Sequence, residues 1–197
     1  MNKTLAVVVG VIVLLVLGLL MFGGVYVGRR NEMVRKDEAI KSAWAQVDNV
    51  IQRRADLIPN LVATVKGIPA QEQTVFHDVD VARAALLSAQ TPQDKIAANG
   101  QLDGALVRFL TVVENYPQLK SNESFLKLQD ELAGTENRIA VERQRYNDTI
   151  QAYNTYIGLF PNNIVASIAG FKRNDAYFKA TEASREVPKV EFPPPNR

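Results

Sequence analysis

The sequence predicts an all-α protein in which an N-terminal transmembrane helix precedes an antiparallel, up-down four-helix bundle with long helices. Three observations predict this fold class. A long uncharged run opens the chain, and apolar residues in the rest recur every three or four positions, as on one face of a helix. The sustained alternation that is typical of strands does not occur. The run predicts the anchor, and the helical periodicity predicts the bundle.

The uncharged run extends from Thr4 to Gly28, which is 25 residues. About 20 residues are enough to cross about 30 Å of hydrocarbon. A cleavable signal peptide is the alternative, but its apolar core is only about 7–15 residues long and ends at a small-residue cleavage site. We therefore predict a short N-terminal tail at residues 1–4 and a retained transmembrane helix at residues 5–28.

Cations that flank the run predict its orientation. Lys3 and the terminal amine precede the run, whereas four cations follow it closely: Arg29, Arg30, Arg35 and Lys36. The positive-inside rule places the more basic flank in the cytoplasm. The soluble part is therefore predicted to be cytoplasmic, with the periplasm as the alternative.

Residues 31–160 form the predicted bundle, in which Pro59 interrupts a helical pattern. A proline inside a helix costs about 3 kcal/mol because a hydrogen bond is lost, but in a first turn that cost nearly vanishes. With Asp56 as the N-cap of a new helix, the sequence favours a chain reversal at residues 55–59. The alternative is a kinked helix through Pro59, with the reversal at residues 66–71.

Three further helices are predicted after this reversal. The second ends near Ala89, and the third spans residues 92–115 with Thr91 as its N-cap and Pro92 at its first position. The fourth spans residues 122–158. It carries a heptad of large side chains, which is typical of a packing seam: Phe125, Leu132, Ile139, Tyr146, Tyr153 and Phe160.

The segment after the fourth helix is predicted to lie near the membrane, because an up-down order returns that helix towards the bilayer. Residues 161–185 begin with an amphipathic helical stretch that suits a bilayer surface, and a fifth helix folded onto the bundle fits equally well. The candidate membrane-surface residues are Ile164, Val165, Ile168, Phe171, Lys172 and Arg173. Residues 186–197 are predicted to form a proline-rich flexible tail.

Three stretches of the chain resemble the LemA family. They are SAWAQVDNVIQRRADLIPNLVATVKG (42–67), ENYPQLKSNESFLKLQDELAGTENRIAVERQRYNDTIQAYN (114–154) and FPNNIVASIAGF (160–171). The resemblance implies a bacterial membrane protein that is anchored at its N-terminus and has an antiparallel helical bundle, and it implies no established reaction. One position departs from the family pattern, because Gln71 stands where relatives usually have a histidine.

A set of polar residues, the polar seam, matches or flanks that pattern and is the candidate site. Its members are Arg53, Arg54, Asp56, Glu136, Arg138, Glu142, Tyr146, Asn147, Tyr153 and Asn154. In one interpretation, arginine–carboxylate pairs and tyrosine hydroxyls form a network that fixes the register of the bundle end. In the other, the seam is a groove for a partner peptide or a lipid headgroup.

The composition argues against catalysis and against nucleic-acid binding. The chain has no cysteine and one histidine, His77, so thiolate chemistry and cysteine-ligated metals are excluded. No nucleophile arrangement or glycine-rich phosphate loop is recognisable, and we expect no metal or cofactor. The net charge is +2, and the basic residues are interspersed with acids, which is not a nucleic-acid footprint.

The sequence therefore predicts a membrane-anchored helical scaffold or adaptor that binds partner proteins at the bacterial inner membrane and catalyses no reaction. The alternative is a membrane-organising protein that acts through residues 160–173 and through self-association. The expected partners are the lipid bilayer, an unidentified membrane or membrane-associated protein, and a second copy of the chain. A hydrolase is a third class of function, for which a substrate screen would be needed.

Overall fold

The computed structural model describes residues 3–65, 73–120 and 122–179. All regular secondary structure within these residues is α-helical, which confirms the predicted class. The helices are α1 Lys3–Thr64, α2 Gln73–Ser88, α3 Pro92–Val113, α4 Pro117–Lys120, α5 Glu123–Gly158 and α6 Asn162–Ala169. The tail at 186–197, residues 180–185 and the alternative reversal at 66–71 lie outside the described residues.

Helix α1 is one continuous helix of 62 residues that contains Pro59. The predicted reversal at residues 55–59 is therefore wrong. The buried stripe continues through the proline, since Ala55, Ile58 and Leu61 are all fully buried. Asp56 is exposed and accepts a hydrogen bond from the Gln52 side chain (3.0 Å) instead of capping a new helix.

The cost of Pro59 is offset by a contact from the next helix. Proline has no N–H, so it cannot bond to the carbonyl of Ala55, four residues earlier. The Nε of Arg83, on α2, donates a hydrogen bond of 2.7 Å to that carbonyl oxygen. A buried carbonyl would otherwise lose its partner, so the packing of α2 makes the proline tolerable.

The two halves of α1 meet different surroundings. In the N-terminal half, the described side chains of the apolar run are exposed, except for the partly buried Tyr26. Within the described residues, this is the one helix long and apolar enough to cross a membrane. In the second half, one stripe recurs at helical spacing and is buried: Met33, Ile40, Ala43, Val47, Ile51, Ala55, Ile58 and Leu61. The same helix therefore forms the candidate span and the centre of the folded body.

Helix α5 packs along the second half of α1 in the antiparallel direction. Three contacts give the register: Lys36 lies over the ring of Tyr156, Trp44 packs on Tyr146, and Arg54 pairs with Glu136. As the residue numbers rise along α1, the numbers of the residues that they contact on α5 fall. The predicted heptad of α5 forms this seam, and its members from Phe125 to Tyr153 are buried. Phe160 is the exception, because it follows the end of the helix and is 80% exposed.

Helices α2 and α3 form a second antiparallel pair, with Phe76 against Phe109 and Asp78 near Arg108. The predicted N-terminus of α3 is confirmed: the Thr91 hydroxyl oxygen accepts from the Asp94 amide (3.1 Å), and Pro92 follows the cap. Lys95 of α3 forms an ion pair with Asp48 of α1. The short helix α4 lies between α3 and α5, and Asn122 caps α5.

Helix α6 is followed by its C-cap, Gly170, which adopts a left-handed conformation (φ 79°) that favours glycine. The chain then turns back, and residues 171–179, the strap, run along α5 without regular secondary structure. Within the predicted amphipathic segment, only Asn162–Ala169 of the described residues is helical. The strap brings backbone amides and carbonyls to the polar side chains of α5.

Candidate functional site

Residues of the polar seam contribute to two hydrogen-bonded clusters, which meet where Arg143 lies over the ring of Phe178 (5.1 Å). The first, the ionic cluster, joins three helices: Arg54 on α1, Asn99 and Asp103 on α3, and Glu136 and Arg143 on α5. The Nη1 of Arg54 donates to Glu136 Oε2 (2.6 Å) and also to Asp103 Oδ1. Asp103 Oδ2 in turn accepts from Asn99 (3.1 Å) and from Arg143 (3.5 Å).

Burial differs between the two signs of charge in the ionic cluster. The Arg54 side chain is 8% exposed, whereas its acidic partners, Asp103 and Glu136, are 32% and 45% exposed. The carboxylates therefore keep contact with water while the guanidinium depends on them for most of its solvation. A buried charge of this kind is costly unless it is paired. The cluster consequently ties α1, α3 and α5 into one relative position.

The second cluster, the asparagine clamp, consists of Asn147 and Asn154, which lie seven residues apart on α5. Each side-chain amide forms two hydrogen bonds with the main chain of one strap residue. Asn147 donates to the Phe178 carbonyl (2.8 Å) and accepts from its amide (3.0 Å). Asn154 does the same with Asn174, at 2.7 and 2.9 Å. The doubled Tyr-Asn pattern of the sequence therefore binds the strap.

Tyrosines next to both asparagines complete this contact. Tyr153 donates its hydroxyl to the Lys172 carbonyl (2.9 Å). The Tyr146 ring packs against Phe178 (5.9 Å between centroids) and against Trp44 (5.3 Å). Burial raises the pKa of Tyr146. Burial also raises the pKa of Tyr153, and the negative charge of Asp37 adds to that effect.

The remaining predicted seam residues do not join these clusters. Arg53, Asp56 and Arg138 are exposed, and Glu142 pairs with Arg145 one turn along α5 (3.2 Å). The ten predicted residues therefore do not form one contiguous group, because they lie on different faces of α1 and α5. Its tyrosine and asparagine half is covered by the chain's own strap.

Several residues that build the two clusters were missed by the sequence reasoning: Trp44, Asn99, Asp103, Arg143, Asn174 and Phe178. Asp103 and Arg143 lie on different helices from Arg54, so no spacing in the sequence connects them. Trp44 could have been predicted as a cluster residue, since it lies beside the apolar stripe of α1 and is the single tryptophan of the chain.

The predicted membrane-surface residues are divided between two sides of α6. Val165 is buried and Phe171 packs against the core, whereas Ile164 and Ile168 are 48% and 65% exposed. Adjacent residues on a helix point about 100° apart, so Ile164 and Val165 point in different directions. Lys172 and Arg173 are exposed at the start of the strap. The exposed apolar set, the apolar collar, is Leu159, Phe160, Ile164 and Ile168.

The described residues contain no group of three or more histidine, cysteine or acidic side chains that is arranged to hold a metal ion. His77 is exposed on α2. The two clusters consist of hydrogen bonds, ion pairs and ring contacts within the body.

The sequence pattern of the LemA family matches residues 43–192. The chain belongs to the LemA family. Relatives include "Magnetosome protein MamQ 2" of Paramagnetospirillum magneticum, 27% identical over 87% of this chain and 72% of the relative. "Magnetosome protein MamQ" of Magnetospirillum gryphiswaldense is 26% identical (80% and 68%), and "Protein LemA" of Metamycoplasma hominis is 25% identical (87% and 78%). These LemA-family relatives and the apolar helix fit a membrane location, and the relatives' names state no reaction.

Proposed function

We propose that this LemA-family protein is a membrane-anchored helical scaffold that holds partner proteins at the bacterial inner membrane without catalysing a reaction. The observation that carries the proposal is the continuity of α1. One helix of 62 residues, about 93 Å at 1.5 Å per residue, includes both the apolar run and the central stripe of the body. A body joined to its anchor by helix rather than by a flexible loop is held at a fixed height and angle.

The body of this scaffold is proposed to be an up-down four-helix bundle made of the second half of α1 with α2, α3 and α5. The antiparallel pairs α1–α5 and α2–α3 support this order. Contacts between the pairs support it too, since Arg54 of α1 reaches both α3 and α5. A bundle of long helices offers side surfaces on which partners can bind.

In-cell cross-linking tests the scaffold proposal. We expect the native chain to cross-link to a short, reproducible set of proteins that mass spectrometry identifies. A flexible glycine-serine linker inserted between Arg30 and Asn31 should reduce or change that set, because it uncouples the body from the anchor. The same linker placed after residue 186 is the matched control and should change nothing.

The opposite results would count against the proposal. An unchanged partner set after insertion at Arg30 would show that rigid coupling is irrelevant. An empty set, at good cross-linking yield to lipid or to other copies, would favour the membrane-organising alternative.

The side of the membrane follows from the same anchor. The positive-inside rule, applied to Arg29, Arg30, Arg35 and Lys36, supports a cytoplasmic body. Because the chain has no cysteine, one introduced at the exposed Val107 provides a clean test. A membrane-impermeant maleimide should label it only after the cells are opened, and labelling of intact cells would place the body in the periplasm.

A further inference from the structure

The apolar collar lies at the end of the body that is nearest the apolar run. Lys36 of α1 lies opposite Tyr156 of α5, and the two helices are antiparallel. The last residue of α5, Gly158, therefore lies opposite about residue 34 of α1, and the collar begins with the next residue, Leu159. That level is about 9 Å beyond Gly28, at 1.5 Å per residue.

Protein contacts extend still closer to the apolar run. Met33 is fully buried, and Tyr26, which lies inside the run, packs against the core. Helix α6 contacts α1 and begins after α5 has ended, so it is the element that covers α1 at this level. Val165 and Ala166 face the core, which leaves Ile164 and Ile168 on the outer side of α6.

This level corresponds to the headgroup layer of a bilayer. The hydrocarbon is about 30 Å thick, and the bilayer with its headgroups is about 40–45 Å thick. The apolar run is about 37 Å long as a helix, so its end reaches the boundary between hydrocarbon and headgroups. Exposed apolar side chains grouped in one place mark an interaction surface, and here the surface continues from the candidate span.

Charges around the collar are complementary to lipid phosphates. Arg29 and Arg30 directly follow the run, and the first acidic residue of the chain is Glu32, which is paired with Arg35. The exposed Lys172 and Arg173 follow α6. Apolar side chains flanked by cations are typical of segments that lie in the membrane interface.

We propose that the apolar collar inserts into the phospholipid leaflet that α1 leaves, so that the protein contacts the bilayer through both its span and its collar. The inference deepens the scaffold proposal and rests on its anchor. The second contact fixes the rotation of the body around α1, which a single spanning helix leaves free. A surface of the body then faces a defined direction above the membrane.

Single-cysteine probes in the full chain test this inference, because the native chain has no cysteine. Ile168→Cys is labelled with an environment-sensitive fluorophore, and the protein is reconstituted into vesicles of phosphatidylcholine with some phosphatidylglycerol. Val107→Cys is the matched control, since Val107 and Ile168 are each 65% exposed. Val107 lies near Asp103, at the level of Arg54 or beyond, and is therefore far from the run. Leu14→Cys, inside the run, reports on the anchor itself.

We expect nitroxide-labelled lipids to quench the probe at position 168 several-fold more than the probe at position 107. The emission of the probe at position 168 should also be shifted to the blue. Quenching at 14 without quenching at 168 overturns the collar inference and leaves the anchor intact. The absence of quenching at both 14 and 168 overturns both proposals. A blue shift at 168 without quenching by lipid means that protein, such as a second copy, covers the collar, and it also overturns the inference.

Discussion

The ionic cluster and the asparagine clamp solve the problem of buried polar groups in different ways. The ionic cluster joins side chain to side chain across three helices, and its buried member, Arg54, carries a full charge. The asparagine clamp joins neutral side chains to the main chain of the strap, with both bonds of each asparagine satisfied. The first cluster positions helices, and the second holds a segment that has no hydrogen-bond ladder of its own.

The difference indicates which parts of the body depend on each cluster. Loss of the ionic cluster affects the packing of α1, α3 and α5 and hence the global free energy of unfolding. Loss of the asparagine clamp affects a segment near the end of the described chain, which can detach while the helices stay folded. Global and local measurements should therefore separate the two clusters.

The largest effect is expected for Arg54→Met. It removes the cation that Asp103 and Glu136 share, and breaking a buried ion pair costs about 3–5 kcal/mol. Because both carboxylates reach water, we expect a smaller loss of about 2–3 kcal/mol in the free energy of unfolding. Denaturant titration of the detergent-solubilised full chain, followed by circular dichroism, measures it.

Arg53→Met is the control for this substitution, because Arg53 is the exposed neighbour of Arg54. It should change the free energy of unfolding by less than about 0.5 kcal/mol. A further variant replaces Arg54, Asp103 and Glu136 together by apolar residues and should regain part of the lost stability, since an apolar set can replace a buried ionic one, although Asn99 and Arg143 then lose Asp103 as their acceptor. Equal losses for the Arg53 and Arg54 variants would show that the cluster does not hold the helices.

Asn154→Ala should release the strap with a smaller effect on the helices. The substitution leaves the amide and the carbonyl of Asn174 without partners, at about 1–3 kcal/mol locally. Trp44 packs 6.1 Å from Phe178 at the far end of the strap. We therefore expect a red shift of tryptophan emission and faster proteolysis after residue 170, which are strongest in the variant that also carries Asn147→Ala.

Gln151→Ala is the matched control for the clamp variants, since Gln151 lies on α5 between the two asparagines and is exposed. It should leave both the emission and the proteolysis rate unchanged. If the Asn154→Ala variant instead lowers the helix melting transition as much as Arg54→Met does, the strap is part of the global core and the comparison fails.

The contact between Arg83 and Ala55 combines features of both clusters, because a charged donor binds a backbone carbonyl. Pro59→Ala adds an amide that can bond to the same oxygen, which has two lone pairs. Since Arg83 already bonds to that carbonyl, we expect a stabilisation of about 1 kcal/mol rather than the full cost of a helix proline, about 3 kcal/mol. Denaturant titration of the Pro59→Ala chain measures this gain.

A double-mutant cycle with Arg83→Met sharpens this prediction. The gain from Pro59→Ala should be larger when Arg83 is absent, because the Ala55 carbonyl then has no other donor. Equal gains in both backgrounds would mean that Arg83 does not compensate for the proline.

Helix positions were more predictable from the sequence than the chemistry of the polar residues. Thr91 and Pro92 mark the start of α3 through local hydrogen bonding, and the heptad of α5 indicates which face of that helix is buried. The start of α3 and the buried face of α5 could therefore be predicted from the sequence alone. Pro59 could not, because the donor that makes it tolerable comes from Arg83, 24 positions further on. The partners of Asn147 and Asn154 are main-chain atoms of the strap, and Asn154 also donates to the Tyr177 hydroxyl (3.0 Å). The main-chain bonds could not be predicted, because they do not depend on the identity of the strap residues.

The smallest effect is expected for Tyr153→Phe, which removes one hydrogen bond to the strap. The loss should be about 0.5–1.5 kcal/mol locally, below that of either asparagine. Tyr153 also predicts a pH dependence. Its pKa is raised above the ordinary value of 10.0, first by burial and then by Asp37, so the folded state favours the neutral hydroxyl. The stability that the neutral Tyr153 hydroxyl contributes is fully present below pH 10. It is lost as the pH rises through the pKa of Tyr153 in the folded state.

Alkaline titration of the Trp44 emission should therefore show strap release beginning above pH 10 in the native chain. Tyr146 has a raised pKa as well and packs directly on Trp44, so the transition should persist in Tyr153→Phe with a smaller amplitude. If the Tyr153→Phe variant keeps the full amplitude of the emission change, Tyr153 contributes nothing to the release of the strap at alkaline pH. A release that begins near neutral pH would point to a group other than the two tyrosines, since a tyrosine whose pKa is raised stays protonated there.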